Sequence, residues 1–230
     1  MLNDLEYALR MLRKRPGFTA AVMLSLGLGI GANTAIFSLM DAVLWRRLPV
    51  QDPEHLLLLT HGSGSSFAGG FTYQQYRTLR EKGPGHADLA AWSTARLNVS
   101  IDGAVEPTLQ GQLVSGNYFS LLGARPIVGR TFSTDEDKNP GERLVAVLGY
   151  GEWQKRFGGD PSVVGRTMTV NGQSFAIIGV MPKGFKGTNA IGAPALWVPY
   201  MTYPVTTNGF LLELIRPDSR RGLVFNVTGR

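Results

Sequence analysis

The stretch GFTAAVMLSLGLGIGANTAIFSLMDAVLW, residues 17–45, decides where the rest of this chain lies. From Gly17 to Met40 it holds no Asp, Glu, Lys, Arg or His. A bilayer core of about 30 Å is crossed by roughly 20 helical residues, so the run is long enough to span one. A cleaved secretion signal has a shorter apolar core of about 7–15 residues. A soluble core helix of this length would carry a polar face, yet the polar residues from Gly17 to Met40 are Thr19, Ser25, Asn33, Thr34 and Ser38, all small and uncharged. The stretch therefore predicts a transmembrane helix, assigned with its flanks to residues 16–47.

The flanks give an orientation. Arg10, Arg13, Lys14 and Arg15 precede the span, and only Arg46 and Arg47 follow it closely. Lys and Arg accumulate on the cytoplasmic side of a membrane, which places the N-terminus in the cytosol and the bulk of the chain outside. Trp45 suits the interfacial aromatic belt. Residues 1–15 put Leu2, Leu5, Leu9 and Leu12 on one helical face, as in a short amphipathic helix lying in the cytoplasmic interface, and Pro16 separates it from the span.

Glycine weakens an isolated helix by about 1 kcal/mol relative to Ala. Gly27, Gly31 and Ala35 recur every four residues, and Ser25 and Gly29 repeat the interval. Such small-residue ridges let a second helix approach closely in lipid, so Gly27, Gly31 and Ala35 are the expected helix-packing residues. GLGIG is not a dinucleotide-binding turn, because no strand precedes it and the glycine spacing is wrong.

The chain has 230 residues, a formal net charge of +6 and no cysteine. Disulfides, thiolate metal sites and cysteine nucleophiles are thereby excluded. Half of the positive surplus lies in the first 50 residues, six basic against three acidic, where the membrane flanks account for it. No basic stripe with interleaved aromatics points to nucleic acid.

Residues 48–230 read as one extracytoplasmic domain of mixed short strands and helices. LLLLT (56–60) reads as a buried strand and 61–70 as a flexible loop. Residues 72–82 read as a helix with Tyr73, Tyr76, Leu79 and Arg80 at helical spacing, broken at Gly83. ADLAAW (87–92) reads as a helical turn. RLNVSIDG (96–103) and VEPTLQGQLVS (105–115) read as a hairpin. NYFSLLG (117–123) reads as a short helix stopped by Gly123, LVAVLG (144–149) as a central strand, and 150–161 as an amphipathic helix with Trp153 and Phe157 one turn apart. RTMTV-NG-QSFAIIGV (166–180) is the clearest hairpin, since both residues of an Asn-Gly turn accept positive φ. ALWVP (195–199) and LVFNVTGR (223–230) close the series. The pattern is that of an α+β fold.

The chemical inventory is thin. His55, His61 and His86 show no metal-ligand spacing, and there is no HExxH. No GxxxxGK[ST] loop cradles a phosphate, and GSGSS (62–66) lacks the GxSxG turn. Asp135, Glu136 and Asp137 read as a helix start or a solvated loop rather than a cation site. Asn98-Val99-Ser100 and Asn226-Val227-Thr228 fit the glycosylation pattern, which matters only in a eukaryotic secretory setting. No catalytic residue, cofactor or metal is therefore assigned. Two readings stand open at this point: a membrane-anchored enzyme, which requires a polar pocket with perturbed titratable groups, and a single-span sensor or interaction module, which requires residues 1–15 to bind a cytoplasmic partner.

Three stretches, residues 9–44, 113–137 and 145–188, extended by LWVP (196–199), together resemble the permease subunits of MacB/FtsX-like ABC transporters, and most closely their duplicated orphan permeases. The resemblance implies a first membrane helix followed by a two-lobed periplasmic core, in the bacterial inner membrane. Residues 56–115 would begin the membrane-proximal lobe, residues 116–199 would largely make the inserted lobe, and LVFNVTGR would return to the first. It also implies a non-catalytic role, dimerisation or pairing with a second permease, and a separate cytoplasmic ABC ATPase that drives export or mechanotransmission. Members of that family continue beyond the point matching Arg230 with more core and further membrane helices, so the resemblance implies an incomplete core and a fragment or truncated product.

Overall fold

The computed structural model describes residues 14–40, 56–59, 70–83, 88–101, 104–105, 108–189, 192–206 and 226–229. It divides into two compact units, Met1–Arg47 and Leu48–Arg230.

The first unit contains helix α1, Pro16–Met40. Its 25 residues rise about 37 Å at 1.5 Å each, more than a hydrocarbon core requires. Pro16 sits at the first helical position, where its missing N–H costs nothing. The hydroxyls of Thr19 and Thr34 donate to the carbonyls of Arg15 and Ile30, at 3.1 and 2.8 Å. These polar side chains are thus satisfied within the helix, as a lipid environment demands. Phe18, Leu24, Leu28 and Ile36 are all exposed, on a helix whose composition gives water no face of its own. The amphipathic helix expected over residues 2–15 lies, but for its last two residues, outside the described residues, as do Trp45, Arg46 and Arg47.

In the second unit the eleven described strands form one hydrogen-bonded sheet. They are β1 (Leu57–Leu59), β2 (Leu89–Leu97), β3 (Val99–Ile101), β4 (Ala104–Val105), β5 (Leu109–Val114), β6 (Val128–Gly129), β7 (Val145–Leu148), β8 (Thr167–Val170), β9 (Gln173–Val180), β10 (Leu196–Pro199) and β11 (Asn226–Gly229). Their order is β1-β11-β2-β5-β10-β7-β9-β8-β3-β4, with β6 on β9. β5 and β10 pair in parallel, as do β7 and β9, and the other pairs are antiparallel. The β5–β10 pair joins residues 56–115 to residues 116–199, and β11 returns between β1 and β2.

The central strands are apolar on both faces because both faces are covered. Successive side chains in a strand point to opposite sides, and the sequence obeys this pair by pair. Leu113, Leu148 and Val198 face one core with α2 (Tyr73–Lys82) and α4 (Tyr150–Phe157), through Tyr73, Tyr76, Trp153 and Phe157. Val114, Val147 and Trp197 face the other, under α3 (Tyr118–Leu121), Phe132 and Phe185.

Helix α2 starts where its chemistry dictates. Thr72 accepts from the Gln75 N–H at 3.2 Å, and Gln75 returns a bond to the Thr72 N–H at 2.8 Å, a reciprocal cap. Helix α4 ends at Gly158, whose φ of 59° is the left-handed stop that glycine provides. The Asn-Gly turn is as expected, with φ of 48° at Asn171 and 83° at Gly172.

Three expectations are corrected. ADLAAW is no helical turn: Leu89, Ala90 and Ala91 are buried in β2, between β11 and β5, and the sheet overrides the helical preference of alanine. LLLLT does contain a strand, but not a buried one. β1 ends the hydrogen-bonded path, with Leu57 and Leu58 67% and 57% exposed, while Leu59 packs on one core and Leu56, just before the strand, on the other. VEPTLQGQLVS is two strands: β4 completes the small hairpin with β3, while β5 pairs with β2. The loop expected at 61–70 falls, except for Gly70, outside the described residues.

Candidate functional site

Two places could carry function: the ridge on α1, and a cleft on the sheet domain. On α1, Gly27, Gly31 and Ala35 follow one another at four-residue intervals along an unbroken helix, and all three are exposed. A side chain built at Gly27, Gly29 or Gly31 would meet nothing within 4 Å. The ridge is thus open, and no described residue fills it.

The cleft, of about 530 Å³, is walled by α2 and by the short 3-10 helix Thr134–Asp137. Tyr73, Tyr76, Arg77, Arg80 and Glu81 come from α2, Thr134, Asp137 and Lys138 from the opposite wall, and Gly116 and Met201 line it as well. At its base Asp137 gathers three donors from three segments. The Tyr73 hydroxyl reaches its Oδ2 at 3.1 Å, the Gly116 N–H reaches the same atom at 3.1 Å, and the Met201 N–H reaches Oδ1 at 3.2 Å. Burial outweighs these donors and pushes the carboxyl up to about 6. Burial likewise raises the Tyr73 hydroxyl, with the Asp137 charge adding to it. The Tyr73 ring stacks on Tyr200 at 3.9 Å, and Tyr200 on Tyr203 at 5.4 Å.

Neighbouring Glu136 is set differently. It is buried, which opposes its charge, but Ser133 donates to it through hydroxyl and N–H at 2.5 and 2.8 Å and Arg130 reaches it at 2.7 Å. Its carboxyl is held below the ordinary range. The acidic run is therefore a capped helix start, as one reading had it, with Asp135 alone solvated and the other two turned inward. Ser133-x-x-Glu136 is the sequence signal that could have shown this.

His55, His61 and His86 lie outside the described residues. Among the described residues no group of three His, Cys, Asp or Glu could hold a metal ion. The cleft has one raised carboxyl and no nucleophile beside a base, so it offers no recognisable catalytic constellation.

A second buried polar group sits under the other core. Gln112 Oε1 accepts from Trp197 Nε1 at 2.7 Å and from the Tyr118 hydroxyl at 3.3 Å, while its Nε2 donates to Asn189 at 3.1 Å. All of Gln112, Tyr118 and Trp197 are fully buried, which marks a structural network rather than a site.

Residues 19–227 match the MacB-like periplasmic core domain family. The chain belongs to that family. The match takes in most of α1 together with the sheet domain, and α1 is, among the described residues, the one helix long and apolar enough to cross a membrane. The MacB-like fold is similar to the periplasmic region of MacB from Actinobacillus actinomycetemcomitans, at 15% identity and a TM-score of 0.57, over 82% of this chain and 78% of that one. It is also similar to the extracellular domain of the noncanonic ABC-type transporter YknZ from Gram-positive bacteria, at 15% identity and a TM-score of 0.51, over 76% and 81%. A comparison with curated proteins returns no match.

Proposed function

We propose that this chain acts as a non-catalytic permease component of an ABC-type export or mechanotransmission system. α1 anchors it in the bacterial inner membrane with the N-terminus in the cytosol, and the sheet domain lies in the periplasm, where it couples to partner subunits. A separate cytoplasmic ATPase supplies the energy, and the chain works as a homodimer or beside a second permease. Gly27, Gly31 and Ala35 form the face of α1 that receives a neighbouring helix. The observation that supports this reading is the family match, which runs from within the apolar helix into the returning strand β11.

The test is purification of the tagged chain from its native membranes in mild detergent. The expected result is an ABC-type ATPase in stoichiometric association, with the sheet domain cut by protease only from the periplasmic side. A chain that leaves the membrane without detergent, or whose N-terminus is reached from the periplasm, overturns the topology. A chain that stays anchored but holds a cytoplasmic partner through residues 1–15, with no ATPase, favours the sensor reading instead.

A further inference from the structure

The cleft between α2 and Thr134–Asp137 has a use that the transport reading does not assign. Tyr73, Tyr76 and Met201 line it but are nearly fully buried, so its accessible wall is mostly polar. Its lining carries three cations, Arg77, Arg80 and Lys138, against two carboxylates, Glu81 and Asp137, a net of one positive charge (3 − 2). The carboxylates are already committed. Glu81 pairs with Arg77 at 3.2 Å, and the oxygens of Asp137 face Tyr73, Gly116 and Met201. Lys138 pairs with Asp135 at 2.5 Å, but both side chains are about two-thirds exposed, so this pair exchanges readily. Arg80 is exposed and makes no ion pair among the described residues. It lines the cleft together with Tyr76 and Asp137.

We infer that this cleft binds a ligand carboxylate, with Arg80 as its principal partner and Lys138 as the second cation. A single surplus charge suits one carboxylate rather than a polyphosphate, and the guanidinium fork matches carboxylate geometry. The volume falls in the range that takes a small molecule or the last residues of a peptide. The carboxylate could belong to a free organic acid or to a peptide C-terminus. This inference does not depend on transport, and it is tested on the chain alone.

The experiment is an NMR-detected titration of the full chain in detergent micelles, with benzoate in one arm and N-acetyl-Ala-Ala-Leu with a free C-terminus in the other. Benzamide and the amidated peptide serve as uncharged analogues. Saturable shifts with a carboxylate, absent with its amide, are expected, and the tighter arm identifies the source. Arg80→Gln should weaken binding about tenfold, the loss of one charge-assisted hydrogen bond. Lys155→Gln, an exposed cation on α4 away from the cleft, should leave it unchanged. Failure of both carboxylates to saturate, equal response to the amides, or undiminished binding in a folded Arg80→Gln protein overturns the inference.

Discussion

The hydroxyl of Tyr73 donates to Asp137 at 3.1 Å across 64 residues of sequence. That bond, with those from the Gly116 and Met201 backbones, ties α2, the turn before α3, the 3-10 helix and the segment after β10 to one carboxylate. A side chain holding four segments together should register both in stability and in its dependence on pH.

Tyr73→Phe keeps the ring stacked on Tyr200 and removes only the donor. A hydrogen bond to a charged acceptor contributes about 1.5–3 kcal/mol, and the fall in stability at pH 8, where Asp137 is ionised, should lie in that range. Urea denaturation of wild type and variant measures it. An unchanged midpoint would show that the bond does not hold α2 in place.

The pH dependence has a definite sign. The Asp137 carboxyl titrates near 6 in the folded chain against an ordinary value of 3.8, so the folded state holds its proton more tightly than the unfolded state. Stability contributed by this group is present below about pH 4, declines as pH rises through 4–6, and levels off above. The total is at most about 3 kcal/mol. Asp137→Asn removes the titration, so the difference in unfolding free energy between wild type and variant should vary across this window and be flat above pH 7. A difference that does not vary between pH 4 and 7 contradicts the burial assigned to this carboxyl.

The sequence disclosed those elements whose signal is local. Asn171-Gly172 demanded a tight hairpin, Trp153 and Phe157 one turn apart demanded an amphipathic helix, and an uncharged run from Gly17 to Met40 demanded one long apolar helix. It misled where neighbours decide. Ala90 and Ala91 are good helix residues, yet they are buried on opposite faces of a sheet whose pairing strands come from residues 109–114 and 226–229. Four consecutive leucines at 56–59 suggested burial, but only the strand's position at the end of the sheet determines which of them is covered. The cleft was hidden for a related reason. Tyr73 and Tyr76 were legible as an inward face, whereas their partner Asp137 stood in an acidic run that resembles solvated surface.

Gln112→Leu should be costly although leucine suits a β-strand core. It leaves the buried Trp197 N–H without its acceptor, while Tyr118 keeps Thr188 at 3.1 Å. One orphaned buried donor costs about 1–3 kcal/mol. Thermal unfolding of the variant should show that loss, and near-ultraviolet circular dichroism should report the altered Trp197 environment.

At the hairpin turn, Asn171 and Gly172 should differ. Asn171 accepts from the Asn98 N–H at 2.8 Å and donates to the Thr206 carbonyl at 2.5 Å. Asn171→Ala loses both bonds and puts alanine at positive φ, for about 2–4 kcal/mol. A Cβ at Gly172 meets nothing within 4 Å, so Gly172→Ala bears only the backbone cost of about 1–2 kcal/mol. The ranking, read from urea midpoints, is the test; equal losses would mean that the Asn171 side chain contributes nothing beyond its backbone.

The ridge on α1 can be tested without disturbing the chain that carries it. Since a Cβ at Gly27 or Gly31 meets open space, and since any ordinary residue forms helix better than glycine, Gly27→Ile and Gly31→Ile should leave α1 intact and the sheet domain's unfolding unaltered. What they would obstruct is the close approach of a second helix in lipid, so association should weaken. Crosslinking in native membranes should therefore show fewer helix–helix adducts for both glycine variants, with Leu28→Ile, which leaves both ridge glycines in place, as the control that keeps them. If the glycine variants associate as wild type does, the two residues are there for some reason other than packing, and the interface must be sought on another face of the helix.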